Sequence, residues 1–175
     1  MQLRNYQTQA ISGVRSAYKR GFKAPLLRVP TGGGKTVIMG QIVQSANARD
    51  QRVLILVHRQ ELLVQTIDKL SMFGVRAGAV SPRFTPDYLN NIQVAMVQTM
   101  VKRCHLYPRF DLIITDECHH VSASTYLKVM EAYPNAYQLG LTATPVRSDG
   151  KGLGINSHGV YDIMVNGPTV RQLID

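Results

Sequence analysis

The sequence predicts an α/β fold, a mostly parallel β-sheet with helices on both faces. Three observations predict it. Short apolar runs alternate with segments of helical period. The runs are continuously apolar, as strands buried on both faces must be. The unusual polar residues fall directly after those runs, at the carboxyl ends of parallel strands, where such sheets bind ligands.

Taken in order, residues 5–20 read as a helix, with Ile11, Val14 and Tyr18 at three-to-four spacing and Gly21 beyond the end. Pro25–Val29 is a short strand that stops at a glycine loop, and Thr36–Ala48 the helix that follows. Val53–Val57, VLILV, is a buried strand, and Glu61–Phe73 a helix carrying Leu62, Leu63, Ile67 and Leu70. Val75–Val80, Ile92–Val97 and Phe110–Thr115 are further strands. Ser124–Ala132 is a helix, Tyr137–Leu141 a strand, and Gly159–Val165 a last strand. Pro168–Asp175 starts a helix with proline in its first turn. Tyr6, Tyr18, Tyr107 and Tyr126 are expected to serve the core.

Composition narrows the function classes. At 175 residues, 45% hydrophobic and 18% charged, the chain suits one folded domain. No run of about 18 apolar residues suggests a membrane span, and MQLRNYQTQA lacks the apolar core of a secretory leader. Two cysteines give no disulfide framework, which suits a cytoplasmic, reducing setting. The formal charge of +9 makes a polyanion such as nucleic acid a natural partner, although a merely soluble basic protein shares that balance.

The chemistry concentrates in two stretches. In Val29–Thr36, VPTGGGKT, a strand passes through three glycines into a helix. Glycines let successive backbone N–H groups point into one concavity, and the helix adds its positive end. Pro30, Thr31, Gly32, Gly33, Gly34, Lys35 and Thr36 would then cradle a nucleotide's phosphates. Lys35 can reach the β- and γ-phosphates, and the Thr36 hydroxyl can hold Mg²⁺. The pattern G-x-x-x-x-G-K-[ST] asks for glycine where this chain has Val29.

In Phe110–His120, FDLIITDECHH, an apolar strand ends in adjacent Asp116 and Glu117. Asp116 offers the hard oxygen Mg²⁺ prefers, and Glu117 could orient an attacking water as general base. Acids capping the next helix would give a similar pattern. Cys104-His105 and Cys118-His119-His120 lack the paired spacing of zinc knuckles, so structural zinc is not expected.

Together VPTGGGKT, DECHH and Leu141–Pro145, LTATP, resemble motifs I, II and III of the DExH branch of superfamily 2 helicases. LRNYQTQA resembles the element ahead of the P-loop, whose Gln7 would read adenine with help from Arg4. VHRQELLVQ is similar to motif Ia, and VAMVQTM to the segment that touches nucleic-acid backbone. The resemblance spans residues 3 to about 150 and implies a RecA-like P-loop NTPase domain. It also implies ATP and Mg²⁺ as cofactors, with His119, Thr142 and Thr144 coupling the γ-phosphate to movement. LTATPVRSDGKG and HRQEL resemble DNA-directed members, such as repair translocases, phage recombination helicases and restriction-enzyme motors, and favour DNA while leaving RNA open.

His58, Arg59, Gln98, Thr99, Lys102 and Arg103 follow two predicted strands and are read as loop residues on one rim, suited to phosphate contacts. A solvated basic face would look alike. No aromatic residue interleaves with these cations, so no base-stacking platform is expected. The resemblance further implies a second RecA-like domain, in cis or trans. Residues 1–165 are read as the ATP-binding domain, and 166–175 as the start of a connection, broken off in its apolar pattern, towards an absent partner domain.

The leading function is an ATP-dependent helicase or translocase motor, weakly active alone because its second half is missing. An ATP-switched nucleic-acid-binding module and a P-loop ATPase without nucleic acid are the alternatives.

Overall fold

The computed structural model describes residues 2–117, 123–144 and 160–174. Within them lie seven strands: β1 (Pro25–Arg28), β2 (Val53–Val57), β3 (Gly78–Val80), β4 (Ile92–Met96), β5 (Leu112–Asp116), β6 (Tyr137–Thr142) and β7 (Ile163–Asn166). The helices are α1 (Asn5–Lys19), α2 (Lys35–Ala48), α3 (Gln60–Met72), α4 (Val97–Arg103), α5 (Ala123–Ala132) and α6 (Val170–Ile174), with a 3₁₀ turn at Cys104–Leu106. The strands form one sheet in the order β3-β4-β2-β5-β6-β1-β7, and every described pairing is parallel.

Alternation along β2 shows why continuous apolar runs are needed. Val53, Ile55 and Val57 face a core shared with α1, α2 and α3, while Leu54 and Leu56 face a second core shared with α4 and α5. The helices therefore cover both faces, as expected. A polar side chain at any of these five positions would meet an apolar layer on either side.

Three expectations need correction. Val97–Arg103 is a helix starting where β4 ends, because Val97 and Met100, one turn apart, are both buried and anchor one of its faces. The strand expected over 75–80 is confined to Gly78–Val80. Pro168 precedes α6, whose start is held by Thr169 and Gln172. The Thr169 N–H donates to Gln172 Oε1 at 2.9 Å, and the Gln172 N–H donates to Thr169 Oγ1 at 3.3 Å, a reciprocal cap. Among the described residues, no helix is long and apolar enough to cross a membrane.

Candidate nucleotide site and nucleic-acid rim

β1 delivers the chain into the glycine loop, and its alignment with β6 fixes where that loop sits. Arg28 stands level with Thr142, and the Val29 N–H donates to the Thr142 carbonyl at 2.9 Å. Two of the glycines are required by space and backbone. A Cβ at Gly33 would lie 2.6 Å from Val29 Cγ1 and 2.9 Å from the Pro30 carbonyl. Gly34 adopts φ +74° as it opens α2, and a Cβ there would strike the Gln7 amide nitrogen. The departure at Val29 also gains a reason: its side chain is 1% exposed and packs in the core.

β5 brings the acidic pair to the same place. Lys35 Nζ lies 3.0 Å from Asp116 Oδ1, an ion pair without a hydrogen bond, and donates a hydrogen bond to Glu117 Oε1. Glu117 holds φ +50°, a left-handed backbone that non-glycine residues rarely adopt. Such strain persists where surrounding contacts over-determine it, and here the Lys35 contact is one of them.

A cleft of about 380 Å³ opens over this meeting point. Pro30, Thr31, Gly32, Gly34, Lys35 and Thr36 line it from the loop, Glu117 from the end of β5, and Ala143 from just past β6. The donor set suits a hydrated Mg²⁺. Asp116 Oδ1 is buried and accepts no hydrogen bond, and Thr36 contributes a hydroxyl beside Lys35.

Thr142 and Thr144 meet each other directly. The Thr142 hydroxyl donates to the Thr144 carbonyl at 2.6 Å and accepts the Thr144 N–H at 3.1 Å. Thr142 is fully buried at the strand that flanks the loop, while Thr144 is exposed. His119, together with Cys118, His120 and the TATP continuation from Pro145, lies outside the described residues.

Gln7 is only 5% exposed. Its Oε1 accepts the Arg4 N–H at 2.9 Å, and its amide nitrogen faces Gly34, so it supports the loop from below. Arg4 is exposed beside it, donating to the Tyr6 hydroxyl at 3.2 Å.

Sequence reading missed Lys69 of α3, whose Nζ reaches the Thr36 hydroxyl at 3.5 Å. A lysine in the last turn of a helix carries no signal of that reach. Cys104, half-buried, has its thiol pushed up by burial and donates to the Met100 carbonyl at 3.1 Å.

The rim is partly assembled. Val57 pairs with Met96, so His58 and Arg59 leave β2 level with the first residues of α4. Gln98 and Lys102, one turn apart, are exposed, as is Arg59; His58 and Thr99 are half-buried. Arg103 is set apart at the far end of α4, half-buried and close enough to Tyr107 for its charge to oppose the upward push that burial gives that phenol.

Residues 1–147 match the family described as type III restriction enzyme, res subunit. A 51.5 kDa protein of Lactococcus phage (isolate 7-9) is 36% identical over 86% of this chain and 30% of its own length. The DNA 3'-5' translocase XPB2 of Sulfurisphaera tokodaii is 32% identical over 98% of this chain and 36% of its own. This chain thus spans about a third or less of the length of the curated relatives it matches. The UvsW helicase of bacteriophage T4 superposes with a TM-score of 0.76 at 18% identity, covering 95% of this chain and 60% of that one, a likeness of fold. With a parallel sheet, a glycine loop and an acidic strand end converging on one cleft, the chain belongs to the type III restriction enzyme res-subunit family and has the RecA-like fold of superfamily 2 helicase domains.

Proposed function

We propose that this chain is the ATP-binding half of a helicase or translocase motor acting on DNA, coupling ATP hydrolysis to movement along a strand. The observation that carries the reading is the contact of Lys35 with Asp116 and Glu117 across the cleft. A cation and two carboxylates from elements far apart in sequence meet where a triphosphate would enter. When it does, Lys35 exchanges the carboxylates for β- and γ-phosphate oxygens. Asp116 and Thr36 would hold Mg²⁺, which would supply charge neutralisation on the phosphates, and Glu117 would orient the attacking water.

Arg4 and Gln7 take the adenine side, with Gln7 turning its amide from the loop to the base. Thr142 and Thr144 relay phosphate state through hydroxyl contacts that can switch partners at little steric cost, and His119 joins that relay. His58, Arg59, Gln98, Thr99 and Lys102 grip phosphate on the rim, and Arg103, at the far end of α4, stands outside that grip. DNA is favoured because the relative XPB2 is named a DNA translocase. A second RecA-like domain, reached through the segment from residue 166, completes the cleft, and the setting is cytoplasmic.

Glu117→Gln tests the enzyme reading against an ATP-switched binding module. The variant should bind ATP as the parent does and lose roughly 10²–10⁴-fold in turnover, the usual worth of a general base. Isothermal titration and a phosphate-release assay, run on the chain joined to its second domain, measure both. Undiminished turnover would refute the assignment.

A further inference from the structure

The six rim residues include no phenylalanine, tyrosine or tryptophan, yet the fold brings a phenylalanine beside them. Val80, Ala95 and Leu56 stand in one row across β3, β4 and β2, so the chain leaving β3 emerges at the edge where His58 and Arg59 leave β2. It turns at once through residues 81–84. Ser81 is fully buried, and its hydroxyl donates to Gln60 Oε1 at 2.6 Å, which fastens the turn to the residue following Arg59. The same hydroxyl accepts the Arg83 N–H at 3.3 Å, and the Ser81 carbonyl accepts the Phe84 N–H at 3.3 Å. The turn is thereby held in one shape that leaves Arg83 exposed and Phe84 40% exposed.

A cation and an aromatic side chain on a fixed turn, at the edge where Arg59 leaves β2, are the two components of a single-strand site: positive charge for the backbone and a ring face for a base. We propose that Phe84 stacks on an unpaired base of a nucleic-acid strand lying along this rim, with Arg83 taking the phosphate beside it. The inference rests on the rim reading given above and narrows it to single-stranded nucleic acid. Bases inside a duplex already stack on one another and offer no free face. Stacking of this kind tolerates any base, as a motor that moves along arbitrary sequence requires.

The test titrates the chain with a single-stranded oligonucleotide carrying 2-aminopurine, over a series of salt concentrations. The parent should quench the probe. Phe84→Ala should lose the quench and bind roughly five- to hundredfold more weakly, with an unchanged dependence of log affinity on log salt. Phe84→Tyr should restore both. Arg59→Gln should keep the quench and reduce the salt slope by about 0.7, one phosphate contact on a single strand. If Phe84→Ala quenches and binds like the parent while Arg59→Gln still flattens the slope, stacking is overturned and the rim survives. If neither substitution changes anything, both fall.

Discussion

The two edges of the sheet use charge in opposite ways. At the amino edge, charged side chains are spent on the chain's own backbone and rings. Asp111 Oδ2 accepts the Arg52 N–H at 2.8 Å, and Asp162 accepts the N–H groups of Lys23 and Ala24 at 2.7 and 3.1 Å. Lys23 lies 4.3 Å from the centroid of the Tyr137 ring and Arg52 5.6 Å from that of Phe110. At the carboxyl edge, Lys35, Asp116 and Glu117 hold one another across a cleft, and Arg59, Gln98 and Lys102 face solvent. Charge at the first edge fixes where strands begin; charge at the second can be given up to a ligand. Substitutions at the two edges should therefore fail differently.

The largest effect is expected at the glycine loop. Gly34→Ala forces a left-handed backbone that costs about 1–2 kcal/mol, and its Cβ meets the Gln7 amide. Nucleotide binding, followed with a fluorescent ATP analogue, should fall below detection while circular dichroism still reports a folded chain. Asp162→Ala should do the reverse. Leaving two N–H groups at the start of β1 without their acceptor should cost about 1–3 kcal/mol in urea unfolding, with nucleotide affinity unchanged. Loss of ATP affinity there would break the division between the edges.

A smaller effect comes from pH. Burial raises the Tyr18 phenol, with the charge of Asp162 adding to it, and burial raises Tyr133. The folded state keeps these protons after the unfolded state has lost them, so their stabilisation is whole below the ordinary phenol value of 10.0 and declines as pH rises above it. Tyr18→Phe should make stability less steep in that alkaline range. It also removes the 2.7 Å hydrogen bond from the Tyr18 hydroxyl to the Gln138 carbonyl, at about 0.5–1.5 kcal/mol at neutral pH.

The same contrast explains what the sequence disclosed. VLILV reads as a strand to the residue, because burial on both faces admits only apolar side chains. Lys35 and the acidic pair are legible because phosphate chemistry restricts residue type and spacing. The helix Val97–Arg103 was not, since two apolar positions one turn apart are too few to show a period beside a strand. The Thr169–Gln172 cap did leave a trace, a threonine three residues before a glutamine, which the neighbouring Pro168 obscured. Asp162 left none: it caps residues 138 and 139 positions away, and such a contact has no local pattern. Nor did the left-handed backbone of Glu117, which depends on what meets its side chain.

Nucleotide binding requires Lys35 to leave its carboxylates for a triphosphate held by the glycine loop. Titrating the parent and Lys35→Ala with a fluorescent ATP analogue in Mg²⁺ tests it most directly. The variant should bind roughly ten- to hundredfold more weakly, the worth of a lost hydrogen bond to a charged group. Equal affinity for the two proteins would contradict it.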